Sequence, residues 1–328
     1  MKSENMENLV YRCSAIKSAM KEKNVDMLLV VKEENKKYLS MFESTSYTLI
    51  LTAEKNYIVT DFRYIEAASS LKPLYEVIKT DAKYGLFEFL QDIYKGNLKL
   101  GIESDIISLS FAEKLKNVLP HANLIKSDGM VEKLRAVKDK SEMENIANAE
   151  RIGDEAFSYI LDYIKPGITE REISFKLEMK MRELGAEALS FDTICVSGER
   201  TSLPHGRPSD KQIEKGDFVT MDFGCVYNGY CSDMTRTVAV GNINDEQREL
   251  YYLVLKAQLA ACDGIRAGMT GKEADALSRD IISAAGYGEY FGHGLGHGVD
   301  LRGKGRLVRA ESTEGSLSGP PSRAHPSH

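Results

Sequence analysis

Residues 164–172 read IKPGITERE and residues 265–273 read IRAGMTGKE, which align without gaps at an offset of 101 residues. In each copy a helix ends in a basic residue and a glycine. A new helix then opens on a Thr-x-x-Glu capping box, Thr169/Glu172 or Thr270/Glu273, whose side chains satisfy the first free amides. Each copy follows a long helical stretch: 141–163, opened by a Ser141/Glu144 box, and 245–264, opened at Asp245. Each second helix leads into a strand-like stretch, FDTICVSG (191–198) or YFGHGLGHG (290–298). Any two helix–turn–helix connections share some of these features, but matching context on both sides favours duplication. It predicts two α-α-β halves facing one another. The first half continues into a hairpin, GDFVTMDFGCVYNGYCSDMTRTVAVG (216–241), whose counterpart is expected near 317–342, whereas the sequence has 328 residues.

Upstream of the repeat, helical and strand patterns alternate. Leu9, Cys13, Ile16 and Met20 recur at helical spacing; DMLLVV (26–31), YTLILT (47–52) and NYIVTD (56–61) read as strands. YEVIKT, helical YGLFEFLQDIYK, LGIES, helical SFAEKLKNVL and NLIKSD carry the alternation to Asp128. This predicts an α/β domain over 1–128 with a mostly parallel or mixed sheet. No glycine-rich phosphate loop interrupts it. The charged VEKLRAVKDK (131–140) changes the rhythm and puts the expected boundary near Gly129, with an α+β domain over 129–301.

Composition sets the outer limits. Hydrophobic residues make up 42% and charged residues 28% of the chain, ordinary for a globular protein. A net charge of -6 gives no electrostatic reason to expect nucleic acid or an anionic membrane as partner. No run approaches the ~20 apolar residues of a membrane span, and MKSENMENLVYRC at the start lacks a signal-peptide core. A cytoplasmic location is expected. The cysteines, Cys13, Cys195, Cys225, Cys231 and Cys262, are odd in number and form no CxxC pair. They are expected to be reduced structural thiols rather than a disulfide framework or zinc knuckle.

Three segments carry candidate chemistry. In the first-half hairpin, a turn centred on Tyr227–Asn228 sets Asp222 opposite Asp233; a turn on Asn228–Gly229 sets Asp233 opposite Gly224, one diagonal step from Asp222. Either register leaves both carboxylates on one face, where they repel unless a divalent cation lies between them. A solvent-facing pair beside Thr235 and Thr237 is the plainer alternative. His297 adds an imidazole, the other common ligand for such metals, and glycines at 292, 294, 296 and 298 leave room for close approach. In SLPHGRPSD (202–210), His205 lies between Pro204 and Pro208, which stiffen its loop. It reads either as an exposed loop residue or as a proton-transfer group near neutral pH.

Together LPHGRPSDKQIEKGDFVTMDFGCVYNGYCSDMTRT (203–237) and FGHGLGHGVDL (291–301) resemble the signature segments of the pita-bread metallopeptidases, in particular bacterial aminopeptidase P and Xaa-Pro dipeptidase (prolidase). ENKKYLSMFESTS (34–46) is similar to part of their creatinase-like N-terminal domain. The resemblance spans about residues 5–301. Methionine aminopeptidases share the catalytic fold but usually lack that first domain. Creatinase shares both domains yet needs no metal cluster, against which Asp222, Asp233 and His297 argue together.

The resemblance implies two divalent ions (manganese, cobalt or zinc). Asp222 would bind one, Asp233 would bridge both, and His297 would be a terminal ligand. His205 and His293 would orient substrate and move protons around a tetrahedral intermediate. The implied reaction is hydrolysis of Xaa-Pro bonds by a hydroxide activated between the two metals, on peptides with proline second, in an enzyme that is commonly a homodimer. Family members also supply two glutamate ligands after the glycine-histidine segment. Here Leu301 is followed by RGKGRLVRAESTEGSLSGPPSRAHPSH, whose Glu311 and Glu314 lack the expected context, leaving three of five ligands. The tail, 302–328, reads as non-homologous and disordered by composition, and a break in reading frame after about Leu301 is expected. The alternative function is therefore an inactive or impaired member of the fold with an incomplete second half.

Overall fold

The computed structural model describes residues 3–44 and 46–301; the tail, with Glu311 and Glu314, lies outside the described residues. The chain divides into two compact units between Arg135 and Ala136.

In the first unit, helix α1 (Ser3–Glu22) precedes strand β1 (Met27–Val30), α2 (Glu33–Ser40), β2 (Tyr47–Thr52) and β3 (Asn56–Asp61). Then follow α3 (Ile65–Ala68), β4 (Glu76–Thr80), α4 (Leu86–Ile93), β5 (Lys99–Ile102), α5 (Leu109–Val118), β6 (Asn123–Lys126) and α6 (Met130–Arg135). The strands form one sheet in the order β4-β3-β2-β1-β5-β6. β1, β2 and β3 pair antiparallel, while β3–β4, β1–β5 and β5–β6 pair parallel, the mixed α/β sheet that the alternation predicts. Leu9, Cys13, Ile16 and Met20, the helical stripe of α1, are all buried. Past the end of β1, buried Glu103 accepts hydrogen bonds from the amides of Val31 and Lys32 and from Asn35 Nδ2, satisfying backbone donors the sheet leaves over.

The second unit begins with α7 (Lys140–Leu161), α8 (Glu170–Glu183), β7 (Ala188–Leu189) and β8 (Ile194–Ser197). It continues through β9 (Phe218–Phe223), β10 (Cys225–Tyr227), β11 (Tyr230–Cys231), β12 (Met234–Ala239), α9 (Asp245–Gly264) and α10 (Gly271–Ala284). Two antiparallel sheets form, β12-β9-β8 and β11-β10-β7. Their inner faces (Cys195, Val219, Met221, Phe223, Cys225, Met234) pack on Ala149, Ile152, Ala156 and Ile160 of α7 and Ile173, Leu177 and Met181 of α8.

The internal repeat is visible in the helices. α8 and α10 are both 14 residues long, and the Thr169/Glu172 and Thr270/Glu273 capping boxes form as read. Of the two long helices, α9 spans 245–264 as read, while α7 opens one residue earlier than expected. Asp139, not Ser141, caps α7 in a box with Glu142, because Asp139 is the last extended residue and Ser141 donates to its Oδ1 from inside the first turn. Asn244 caps α9 in a box with Gln247. The strand expected over 290–298 is absent among the described residues. Gly296 has φ +61, outside the extended region that a strand requires. Among the described residues no helix is long and apolar enough to cross a membrane.

Candidate metal centre

The hairpin register is settled by its turn. Tyr227 pairs with Tyr230, leaving Asn228 and Gly229, with φ 47 and φ 79, as the two corner residues. Two positive φ values mark a type I′ turn, the form whose twist matches that of the flanking strands. The same register carries into β9–β12, where Asp222 faces Thr235 and Phe223 faces Met234. The alternative with Asp222 directly opposite Asp233 is thereby excluded. Phe218, Thr220 and Asp222 share the half-buried face of β9, while Val219, Met221 and Phe223 enter the core. Oδ1 of Asp222 is wholly removed from solvent.

Asp233 lies between β11 and β12, where the pairing lapses. The lapse is built into the sequence: a Cβ on Gly224 would stand 2.0 Å from the Ser232 carbonyl oxygen, so only glycine lets the two strands cross there. The Asp233 amide, outside the ladder, donates instead to Glu150 Oε1 on α7 at 3.3 Å. Burial pushes the Glu150 carboxyl up to about 7, with the Asp154 and Asp233 charges adding to the rise and the bond from the Asp233 amide opposing it.

His297 reaches the same place from the far end of the unit's sequence. Its Nε2 stands 3.3 Å from Asp233 Oδ2, with both side chains mostly buried. Its Nδ1 lies 3.1 Å from the Gly298 carbonyl oxygen, which only accepts, so Nδ1 carries a proton. In the neutral ring the Nε2 lone pair then points at a carboxylate oxygen, an arrangement that repels unless Nε2 is protonated or a cation lies between them. Two ligands each about 2.1 Å from a tetrahedral metal stand roughly 3.4 Å apart, close to the observed spacing. The chemistry of Asp233 and His297, with Asp222 on the adjoining strand face, fits a divalent metal. Among the described residues no group of three His, Cys, Asp or Glu side chains is gathered closely enough to hold an ion.

His205 and His293 are exposed, on two different loops. His293 repeats the local geometry of His297, its Nδ1 lying 3.0 Å from the Gly294 carbonyl, and its ring packs at 5.5 Å on Phe291. The His205 loop hangs from Glu170, the fully buried first residue of α8. Glu170 Oε1 accepts from the amide and hydroxyl of Ser197, at 2.7 and 2.9 Å, and Oε2 accepts from the amide and hydroxyl of Ser209, at 3.0 and 2.7 Å. Arg200 Nε lies 3.2 Å from both oxygens, while its Nη2 donates to the Arg207 carbonyl across the loop. Burial works to raise the Glu170 carboxyl, but these donors outweigh it and hold it below its ordinary range. Glu150 and Glu170 are supporting residues that sequence reasoning missed.

A family model for the Creatinase/Prolidase N-terminal domain matches residues 12–137, and the model for Metallopeptidase family M24 matches residues 144–314. The chain belongs to metallopeptidase family M24. Its fold is that family's: a creatinase-like domain followed by a pita-bread catalytic domain. This M24 peptidase is 40% identical over 288 residues to the Xaa-Pro dipeptidase of Pyrococcus furiosus, covering 86% of this chain and 80% of that one. Among solved structures it resembles the Xaa-Pro dipeptidase from Bacillus anthracis, with TM-score 0.88 and 41% identity over 95% of this chain and 86% of that one. It also resembles the prolidase from Pyrococcus furiosus, with TM-score 0.84 and 36% identity over 93% of this chain and 89% of that one. Membership in a metallopeptidase family makes this chain a peptidase and implies a divalent metal.

Proposed function

We propose that this M24 peptidase hydrolyses the bond between an N-terminal residue and a following proline, with Asp222, Asp233 and His297 holding divalent metal. The 3.3 Å approach of His297 Nε2 to Asp233 Oδ2 carries the reading, since it joins distant segments through two groups suited to one cation. Metal bound there supplies Lewis acidity toward the scissile carbonyl and activates water. Everything else falls to the protein's own groups. Exposed His293, whose Nδ1 is engaged by the Gly294 carbonyl, would take or return a proton at the reacting centre through Nε2. His205, on the loop that Glu170 pins, orients substrate from its own side. Proline's tertiary amide offers no N–H, so recognition rests on ring shape.

An impaired member of the family is the second reading. It rests on the sequence after Leu301, where Glu311 and Glu314 lack the context of the family's two glutamate ligands. One experiment separates the two: turnover of an Xaa-Pro dipeptide and of a longer Xaa-Pro peptide with added manganese, alongside metal stoichiometry. An active enzyme loses more than about a hundredfold in turnover on Asp233→Asn, beyond the range of an outer-shell change. No turnover, with less than one tightly bound metal per chain, would sink the active reading.

A further inference from the structure

The segment carrying His293 and His297 has no strand to hold it, yet its backbone is gripped by one pair of side chains on α10. Asp275 Oδ1 accepts from the Leu295 amide at 2.7 Å. Arg279, one helical turn on, donates from Nη1 to the Phe291 carbonyl and from Nη2 to the His293 carbonyl, each at 2.8 Å. The two side chains are also bonded to each other, and the guanidinium sits 4.5 Å above the Phe291 ring. Asp275 is nearly sealed from solvent. Three backbone groups within five residues are thus satisfied by one fixed fork, which a lysine in the same place could not reproduce.

The repeat sharpens the point. At the offset of 101 residues, Asp275 and Arg279 align with Ser174 and Glu178 on α8. In the first half those two simply bond to each other, Ser174 Oγ to Glu178 Oε1 at 3.1 Å, and the chain beyond α8 enters β7 and β8. The charged fork therefore occurs in the half whose histidine segment lacks a ladder.

We infer that Asp275 and Arg279 are positioning residues, holding the 291–295 backbone so that His293 and His297 face the reacting centre. Their catalytic consequence rests on the peptidase reading above; their grip on the backbone does not. The test uses the full chain and its Arg279→Ala, Arg279→Lys and Asp275→Asn variants, with Glu178→Gln as the first-half control. Amide hydrogen exchange over 291–297 is compared with that of core amides in α8, and kcat and KM are measured on an Xaa-Pro dipeptide.

For Arg279→Ala, exchange at Leu295 should rise at least on the order of tenfold with the α8 core unchanged. kcat should fall on the order of 10- to 100-fold, the range of an outer-shell change, with KM within about twofold. Arg279→Lys should behave like the alanine variant, because it keeps the charge and loses the fork, whereas Glu178→Gln should leave 291–297 alone. Unchanged exchange at 291–297, or a rise shared equally by the α8 core, would overturn the inference. So would local loosening with kcat unaltered. If the wild-type chain turns nothing over, the peptidase reading falls, while the exchange comparison still decides whether the fork holds the segment.

Discussion

Glu170→Gln is the perturbation whose cost follows most directly from the structure. The carboxylate is fully buried and accepts from two amides, two hydroxyls and the Arg200 guanidinium. Glutamine keeps one oxygen, so either the Ser197 or the Ser209 side of the clamp meets an NH2 group and donor faces donor. Hydrogen bonds to a charged group contribute about 1.5–3 kcal/mol each, and removing one partner of a buried pair costs about 3–5 kcal/mol. Arg200 is a third exposed and contributes little of this. Retaining one side of the clamp places the expected loss at about 2–4 kcal/mol. The assay is urea denaturation followed by circular dichroism, with proteolytic nicking of 197–209 as a local readout, since a chain of two units need not unfold in one step.

The same variant makes a pH prediction. The folded Glu170 carboxyl lies below its ordinary value of 4.5, so its contribution is complete above that value and is lost as pH falls through the depressed one. The gap between wild type and Glu170→Gln should be full at pH 7, shrink as pH falls below 4.5, and close only below the depressed value. A difference under about 0.5 kcal/mol at pH 7, the level of an ordinary surface change, or a gap that widens on acidification, would refute the reasoning.

Two further outcomes follow from close packing and burial. Gly224→Ala sets a methyl against the Ser232 backbone, which cannot swing aside; it should cost about 3 kcal/mol, the upper end of overpacking, and, under the metal reading proposed above, weaken binding of added manganese by displacing Asp233. An unchanged urea midpoint would show that the crossing is looser than described. Of the five cysteines, burial pushes Cys195 up to about 12 and Cys225 up to about 11, raises Cys13 and encloses Cys231, whereas Cys262 is exposed. Native protein at pH 8 should titrate one thiol rapidly with a disulfide reagent and the other four only on unfolding; two fast thiols would contradict the burial pattern.

What the sequence makes legible is what local chemistry decides. The stripe in α1, the strands of the first unit and the Thr169 and Thr270 caps depend on residues within a few positions of each other, and all form as read. The choice between hairpin registers was also local: Asn228–Gly229 is the dipeptide that a type I′ turn favours. The misreadings have a common cause. YFGHGLGHG alternates like a strand, but glycine also permits the positive φ that Gly296 adopts and that breaks the extended run. Glu150, Glu170, Asp275 and Arg279 look like helix-surface charges in sequence; Asp275 and Arg279 even have the spacing of an ordinary exposed pair. Only the tertiary partners, an amide of a lapsed ladder or a loop brought back across a helix end, reveal their work.

The segment between Phe291 and Asp300 is fastened at both ends. Arg279 holds the first carbonyls, and the Asp300 carbonyl accepts from the Cys231 amide at 2.8 Å, on the edge of the first-half hairpin. The two moorings fix where this stretch of chain begins and ends. A residue added or removed there would shift His297 along its path past Asp233 by up to about 3.5 Å, more than the whole separation of the two groups. The segment acts as a ruler, and its length, as much as its histidines, is what the site requires of it.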